Sequence, residues 1–252
     1  ETGLLAFDTE ASSLSAMKCD LVGVSFATKA GRAAYVPLGH VSPSGEADLL
    51  SDKAVEDEIG PQLPMDEALA ILKPVLRSEE RRVGNVKYDY LVMRRHGITM
   101  APFDDTMLIS YALDASASLA GHGMDELSER FLGHKPMSYK ELCGSGKGAR
   151  PIAACAIDKV TAYAAEDADV TLRLWQVLKP RLVAEGLATV YERLERPLVA
   201  VLARMEERGI KVDRQILSRL SGRFAQKQAG LEAEIAEIAG ETFNPGSPKQ
   251  LG

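Results

Sequence analysis

The chain has 252 residues, 46% of them hydrophobic and 26% charged, and its 30 Lys and Arg against 36 Asp and Glu give a net charge of −6. That balance belongs to a folded globular chain and excludes disordered, collagenous and fibrous classes. A net acidic chain is not built to wrap duplex DNA with a broad basic face, although it can meet a few phosphates through metal ions. No apolar run approaches the ~20 residues of a membrane helix, so no membrane partner is expected. Glu1-Thr2-Gly3-Leu4-Leu5-Ala6-Phe7-Asp8 carries no basic flank before an apolar core, and no secretory signal is read there. Without an initiating Met, and ending at Leu251-Gly252 just after a turn-rich motif, the sequence reads as a fragment of a longer protein. Cys19, Cys143 and Cys155 have no paired spacing and are expected to be free thiols. The four histidines are scattered and give no zinc spacing.

In chain order, Leu4–Phe7, Leu21–Ala27 and Ala33–Leu38 read as strands, with a turn at Lys29-Ala30-Gly31, and predict an antiparallel meander. His40 to Pro64 is rich in Ser, Pro, Gly and acids and reads as exposed irregular chain. From Met65 the period changes, with Leu69, Leu72 and Leu76 on one helical face. Val83 opens a short strand and Tyr88–His96 a helix ending near Gly97. Asp105 is the predicted N-cap of the apolar run Met107–Leu113, and Met124–Leu132 is a helix stopped by Gly133. Ala153 to Val183 reads as helix with a break at Pro180. Glu192–Arg208 follows, with Pro197 near its start and Gly209 at its end, and then Gln215–Ala239 up to Gly240. Strands first, then helices with a short strand between, predict an α/β protein: a mixed sheet flanked by helices, followed by a C-terminal helical segment. There is no internal repeat.

Three segments carry chemistry. Asp and Glu are poor strand formers, yet Asp8 and Glu10 directly follow Leu4-Leu5-Ala6-Phe7. At i and i+2 they project to the same side of a strand, where two close carboxylates repel unless a cation lies between them. An all-oxygen ligand set suits Mg²⁺ or Mn²⁺. A solvated edge strand with its acids facing water is the plainer alternative. Tyr163 and Asp167 stand at i and i+4, bringing a phenol and a carboxylate to one helix face. Glu166 and Asp169 point elsewhere and read as surface or capping charges. Asp89, in Asn85-Val86-Lys87-Tyr88-Asp89, falls near the start of a helix after a short strand, where an ordinary N-terminal charge is also expected.

Taken together, Asp8 and Glu10, then Asp89, then Tyr163 and Asp167 resemble the tyrosine-type DEDD superfamily of 3′→5′ exonucleases. Leu21-Val22-Gly23-Val24-Ser25-Phe26, Phe103-Asp104-Asp105-Thr106-Met107 and Tyr163 through Thr171 narrow the likeness. They resemble the proofreading exonuclease domain of bacterial family A polymerases, the DNA polymerase I type. Glu206 through Asp213, and Phe243-Asn244-Pro245-Gly246-Ser247-Pro248-Lys249-Gln250-Leu251, look like the start of that family's polymerase region leading into the thumb. The resemblance thus covers nearly the whole chain, while the palm and fingers motifs are absent.

It implies an RNase H-like fold, an exonuclease domain over residues 1–186, and a truncated helical start of the polymerase region over 187–252. It also implies two divalent metal ions, Mg²⁺ or Mn²⁺. Asp8, Glu10 and Asp167 would hold the ion that activates water, Asp8 would bridge to the second, and Asp89 would support that one through water. Tyr163 would orient the attacking water, since a phenol of pKa near 10 is a poor base at neutral pH. The implied substrate is a single-stranded or frayed DNA 3′ end. Leu14 matches the position that wedges between terminal bases, Tyr139 an aromatic ring near the 3′ end, and Asn85 a polar contact to the DNA. The implied setting is a monomeric polymerase of the bacterial cytoplasm, near the nucleoid. There are departures: Gly84 stands where relatives often carry Gln. The stretch Leu119-Ala120-Gly121-His122-Gly123 lacks an Arg just before the His, which predicts weaker backbone affinity. His122 reads as a loop residue, and Lys87 with Arg81-Arg82 reads by default as a solvated charged face, with contact to phosphate as the alternative. An RNA-trimming exonuclease of the ribonuclease D type shares the acid set, but the Phe243–Leu251 likeness argues against it. A non-catalytic polymerase scaffold would have lost the acids, and here all are present.

Overall fold

The computed structural model describes residues 3–42, 60–77, 81–84, 86–115 and 121–251. Its centre is a five-stranded mixed sheet in the order β3-β2-β1-β4-β5. The strands are β1 (Leu4–Ala11), β2 (Leu21–Lys29), β3 (Arg32–Pro37), β4 (Arg81–Gly84) and β5 (Phe103–Asp105). The first three form the expected antiparallel meander, and β4 and β5 add to the β1 edge in parallel. β1 is longer than the apolar run alone suggests: the ladder to β2 continues through Asp8 and Glu10, with Asp8 opposite Ser25 and Glu10 opposite Gly23.

Helices cover both faces, which makes the architecture RNase H-like. On one face α1 (Met65–Arg77) and α2 (Val86–Arg95) pack on Leu5, Phe7 and Val24, with Leu76, Leu91 and Met93 buried. On the other lies α6 (Ile157–Ala184), whose Ala168 and Leu172 sit on Ala6 and Ala27. The alanines on both sides let this helix approach the sheet closely, because their short side chains remove the usual separation. The alternation along β1 is therefore explicit. Leu5 and Phe7 face α2, Leu4 and Ala6 face α6, and the period of two carries Asp8 and Glu10 to the α6 side.

Between them run α3 (Thr106–Leu113), α4 (Met124–Leu132) and the short α5 (Tyr139–Cys143). Asp105 caps α3 as predicted, accepting from Leu108 N at 3.0 Å, and its other oxygen accepts from Val86 N at 2.9 Å, so one buried acid fastens the starts of two helices. α6 corrects two expectations. It begins at Ile157, after a 3-10 turn at Ile152–Ala154, and it does not break at Pro180. Leu174, Leu178 and Leu182 are buried on either side of the proline, and Gln176, whose carbonyl loses its donor, is exposed to water. Cys143 and Cys155 bring their Sγ atoms to 3.7 Å across two elements, a proximity invisible in their spacing, and all three thiols are free.

The chain divides into two compact units, Glu1–Glu207 and Arg208–Gly252. The first unit includes α7 (Ala188–Val190), a π turn at Tyr191–Glu195 and most of α8 (Arg196–Arg208). Tyr191, fully buried, donates to Asp104 Oδ1 at 3.1 Å and accepts from Asp105 N at 2.8 Å. Asp104 also receives Trp175 Nε1 at 2.8 Å and Lys179 Nζ at 3.1 Å. In the second unit α9 (Arg214–Ala239) is capped by Asp213, which accepts from Gln215 N and Ile216 N. It ends at the left-handed Gly240 (φ 76°), and a short α10 (Pro248–Leu251) follows. The loop expected between His40 and Pro64 lies mostly outside the described residues. Among the described residues, no helix is long and apolar enough to cross a membrane.

Candidate active site

The antiparallel end of β1 and the first half of α6 meet at a cleft of about 660 Å³. Asp8 and Glu10 come from the strand and Asp167 from the helix, and one oxygen of each lies within 4.8 Å of the others. Glu10 and Asp167 are buried and Asp8 is half-buried. Among the described residues, Glu10 Oε1 and Asp167 Oδ1 are buried without a hydrogen-bond donor. Orphaned anionic oxygens in a buried place are costly, and a divalent cation is the partner that would satisfy several at once.

The electrostatics follow from the crowding. Burial, then the charge of Asp8, pushes the Glu10 carboxyl up to about 8. Asp167 is pushed to about 9 by burial and by Asp8 and Glu10. Asp8 rises to about 6 through burial, tempered by the Thr9 backbone N–H. Tyr163, one turn before Asp167, lines the same cleft, and burial together with the Asp167 charge raises its phenol well above its ordinary value. The phenol therefore stays protonated at neutral pH and is available as a hydrogen-bond donor.

Asp89 stands outside this trio. It reaches β1 from the α2 side, where its Oδ1 accepts from Thr9 Oγ1 at 2.6 Å and Thr9 N at 3.1 Å. Burial and the neighbouring Asp8 charge raise it well above the carboxylate range. Thr9, lying between the two strand acids, escaped the sequence reading. Its place at i+1 turns it to the opposite face, where its backbone N–H and hydroxyl both hold Asp89.

Of the other expected contacts, Leu14 is 99% exposed at the lip of the cleft, and Tyr139 is half-exposed on its wall. The loop bearing Leu14 is pinned by Tyr88, which donates to Ser13 O at 2.5 Å. Tyr139 is the first residue of α5, capped by Ser138 and Glu141 in a reciprocal capping box. Asn85 lies outside the described residues. At Gly84 a Cβ would come within 2.8 Å of the Phe7 carbonyl, which gives this strand a steric reason for glycine. Lys87 is not a free phosphate ligand here, because it pairs with Glu206.

Two residues are corrected. Glu166 is a tether rather than a surface charge: it accepts from Met137 N at 2.7 Å and pairs with His134 Nε2 at 2.8 Å, fixing the segment that leads into Tyr139. Asp169 accepts from Gly31 N at 2.6 Å and ties α6 to the β2–β3 turn. His122 lies in a loop, as expected, but its ring is buried on the cleft wall. No local pattern announces these roles, since their partners lie up to 138 residues away.

Residues 1–183 match the model of a family described as 3′-5′ exonuclease. A DNA polymerase I of Rhizobium leguminosarum is 58% identical over 100% of this chain and 25% of its own length. That of Pseudomonas aeruginosa is 42% identical over 100% of this chain and 26% of its own length. The chain thus spans about a quarter of the length of the curated relatives it matches. In fold, it is similar to the POL domain of Pol1 from M. smegmatis in complex with DNA primer-template and dNTP. That likeness has a TM-score of 0.69 and 20% identity over 98% of this chain and 35% of the other. With most of its length matched, the chain belongs to the 3′-5′ exonuclease family, as a domain of the kind found within DNA polymerase I.

Proposed function

We propose that this chain hydrolyses phosphodiester bonds at DNA 3′ ends, one nucleoside monophosphate at a time, with two divalent metal ions. We further propose that it does so as the proofreading domain of a DNA polymerase whose polymerase region begins within the same chain. The observation that carries this reading is the trio Asp8, Glu10 and Asp167, with oxygens within 4.8 Å and two of them orphaned.

Asp8, Glu10 and Asp167 would hold one ion, and Asp8 with the Thr9-bound Asp89 would serve the second. Mg²⁺ or Mn²⁺ bound there would neutralise the phosphate, activate water and stabilise the leaving 3′-oxygen. A bare carboxylate cluster repels the phosphodiester anion, so the chain needs the cations to admit its substrate at all. Tyr163 keeps its proton and orients the attacking water by a hydrogen bond, within the space its position near Asp167 allows. Leu14 at the lip would separate the terminal bases. Tyr139 would stack on one of them, a contact every base tolerates. Asn85 would contact the DNA backbone. The exonuclease domain is assigned to residues 1–186 and the start of the polymerase region to 187–252.

The test is product analysis on a 5′-labelled single-stranded oligonucleotide with Mg²⁺ or Mn²⁺. A ladder shortening from the 3′ end, release of nucleoside monophosphates, and loss of both in EDTA and in Asp8→Ala are expected. A matched RNA strand should be shortened more slowly. No shortening from folded protein with either ion would overturn the catalytic reading, and faster RNA trimming would overturn the substrate.

A further inference from the structure

One polar group on the cleft wall is not used by the carboxylate centre. His122 is buried, and its Nε2 has no hydrogen-bond partner among the described residues. Its ring is held from two sides. It stacks on Tyr111 at 3.8 Å between centroids and 26° between planes, and Nδ1 lies 2.8 Å from Ser110 Oγ. Ser110 Oγ also receives Arg130 Nη2 at 3.4 Å. Ser110 Oγ, already accepting from Arg130, can donate its own proton to His122 Nδ1, and in that tautomer the ring's proton sits on Nε2. The flanking backbone is specialised as well: Gly121 adopts φ +76°, and Gly123 begins α4 as its N-cap. The outcome is a rigid ring presenting one unsatisfied N–H donor, a group that folded proteins seldom leave unmatched.

The same cleft wall is short of such groups. Among the described residues lining it there is no Lys or Arg, and His122 is the one side chain there that carries a nitrogen. We propose that His122 Nε2–H contacts the substrate, donating a hydrogen bond to a non-bridging phosphate oxygen near the 3′ end of the bound strand. This inference rests on the exonuclease reading above. A phosphate oxygen, unlike a base edge, is presented by every nucleotide, so the contact fixes the strand without reading its sequence. The imidazole donor also serves where an Arg or Lys would compete with the cations for the orphaned carboxylates.

The test measures binding of a fluorescent single-stranded DNA by the full 252-residue chain in Ca²⁺, followed by anisotropy. His122→Phe keeps the ring on Tyr111 and removes the donor, and should weaken binding about tenfold. His122→Gln, which retains a side-chain N–H, should recover most of the loss. A methylphosphonate placed in turn at each of the last three linkages should cost wild type about tenfold at one linkage. At that linkage it should cost His122→Phe nothing further. Should the Phe variant not fold, His122→Leu takes its place in the same cycle. Unchanged affinity in the donorless variant, or a methylphosphonate penalty that adds in full at every linkage, would overturn the proposal, as would failure of wild type to bind. Shortening assayed separately in Mg²⁺ reports on the catalytic reading, so a chain that binds through His122 but does not cut would sink only that reading.

Discussion

At the residue scale, the carboxyls of Glu10 and Asp167, pushed up to about 8 and about 9, govern how the protein answers to pH. In the unfolded chain such groups ionise near 4. Between those values the folded state holds protons that the unfolded state has lost, so stability falls as pH rises from about 4 toward 9. Without divalent ions the melting temperature should therefore decline from pH 5 to pH 9 in scanning fluorimetry with EDTA. Glu10→Gln should flatten that decline and melt higher than wild type at pH 8. Mn²⁺ should remove most of the slope, because a cation replaces the protons. A flat wild-type profile in EDTA would contradict this. Tyr163 offers a kinetic counterpart. On the proposed mechanism Tyr163→Phe removes the donor that orients the attacking water, so kcat should fall about ten- to a hundredfold while KM stays near its wild-type value. A rise in KM alone, in steady-state kinetics, would make the phenol a binding group instead.

At the scale of elements, buried acids separate into those that serve the cleft and those that join helices. Asp104 receives Trp175, Lys179 and Tyr191 from two different segments, none of them lining the cleft. Asp104→Asn should cost about 2–4 kcal/mol in urea denaturation, since it removes the charge that these donors surround, while leaving KM unchanged. Glu166 belongs to a third kind, a support for a cleft residue. Glu166→Ala frees Met137 N and His134, so it should raise KM through a looser Tyr139 with little change in kcat. How much of this was legible depended on range. The strand alternation that aligns Asp8 with Glu10, and the helical spacing that aligns Tyr163 with Asp167, are written in adjacent residues. The caps at Asp105 and Gly133 are local too. Pro180 misled, because whether a proline breaks a helix depends on how the helix's own leucines on either side of it are buried against the rest of the body. Glu166, Asp104 and His122 were unreadable for the same reason: each is defined by partners beyond local spacing, such as Ser110, 12 residues from His122, and Tyr191, 87 residues from Asp104.

At the scale of the whole molecule, the first compact unit runs to Glu207, and Tyr191, Val199 and Ala203 lie in its buried core. A chain cut after Glu207 should melt cooperatively near the full-length value. One cut after Gly186 loses those core residues and uncovers Asp104, and should melt well below it in the same assay. The location of the carboxylates explains why the body must be intact: β1 supplies two of them and α6 the third, so the trio exists only when helix and sheet are packed together. The central claim is that this packed trio is a site for divalent cations. Its most direct test is a Mn²⁺ titration of the metal-free chain at pH 8, with free ion followed by electron paramagnetic resonance. Wild type should take up Mn²⁺ stoichiometrically, whereas Asp8→Asn with Glu10→Gln, folded by circular dichroism, should leave the ion free. Equal uptake by both proteins, or none by wild type, would contradict the account.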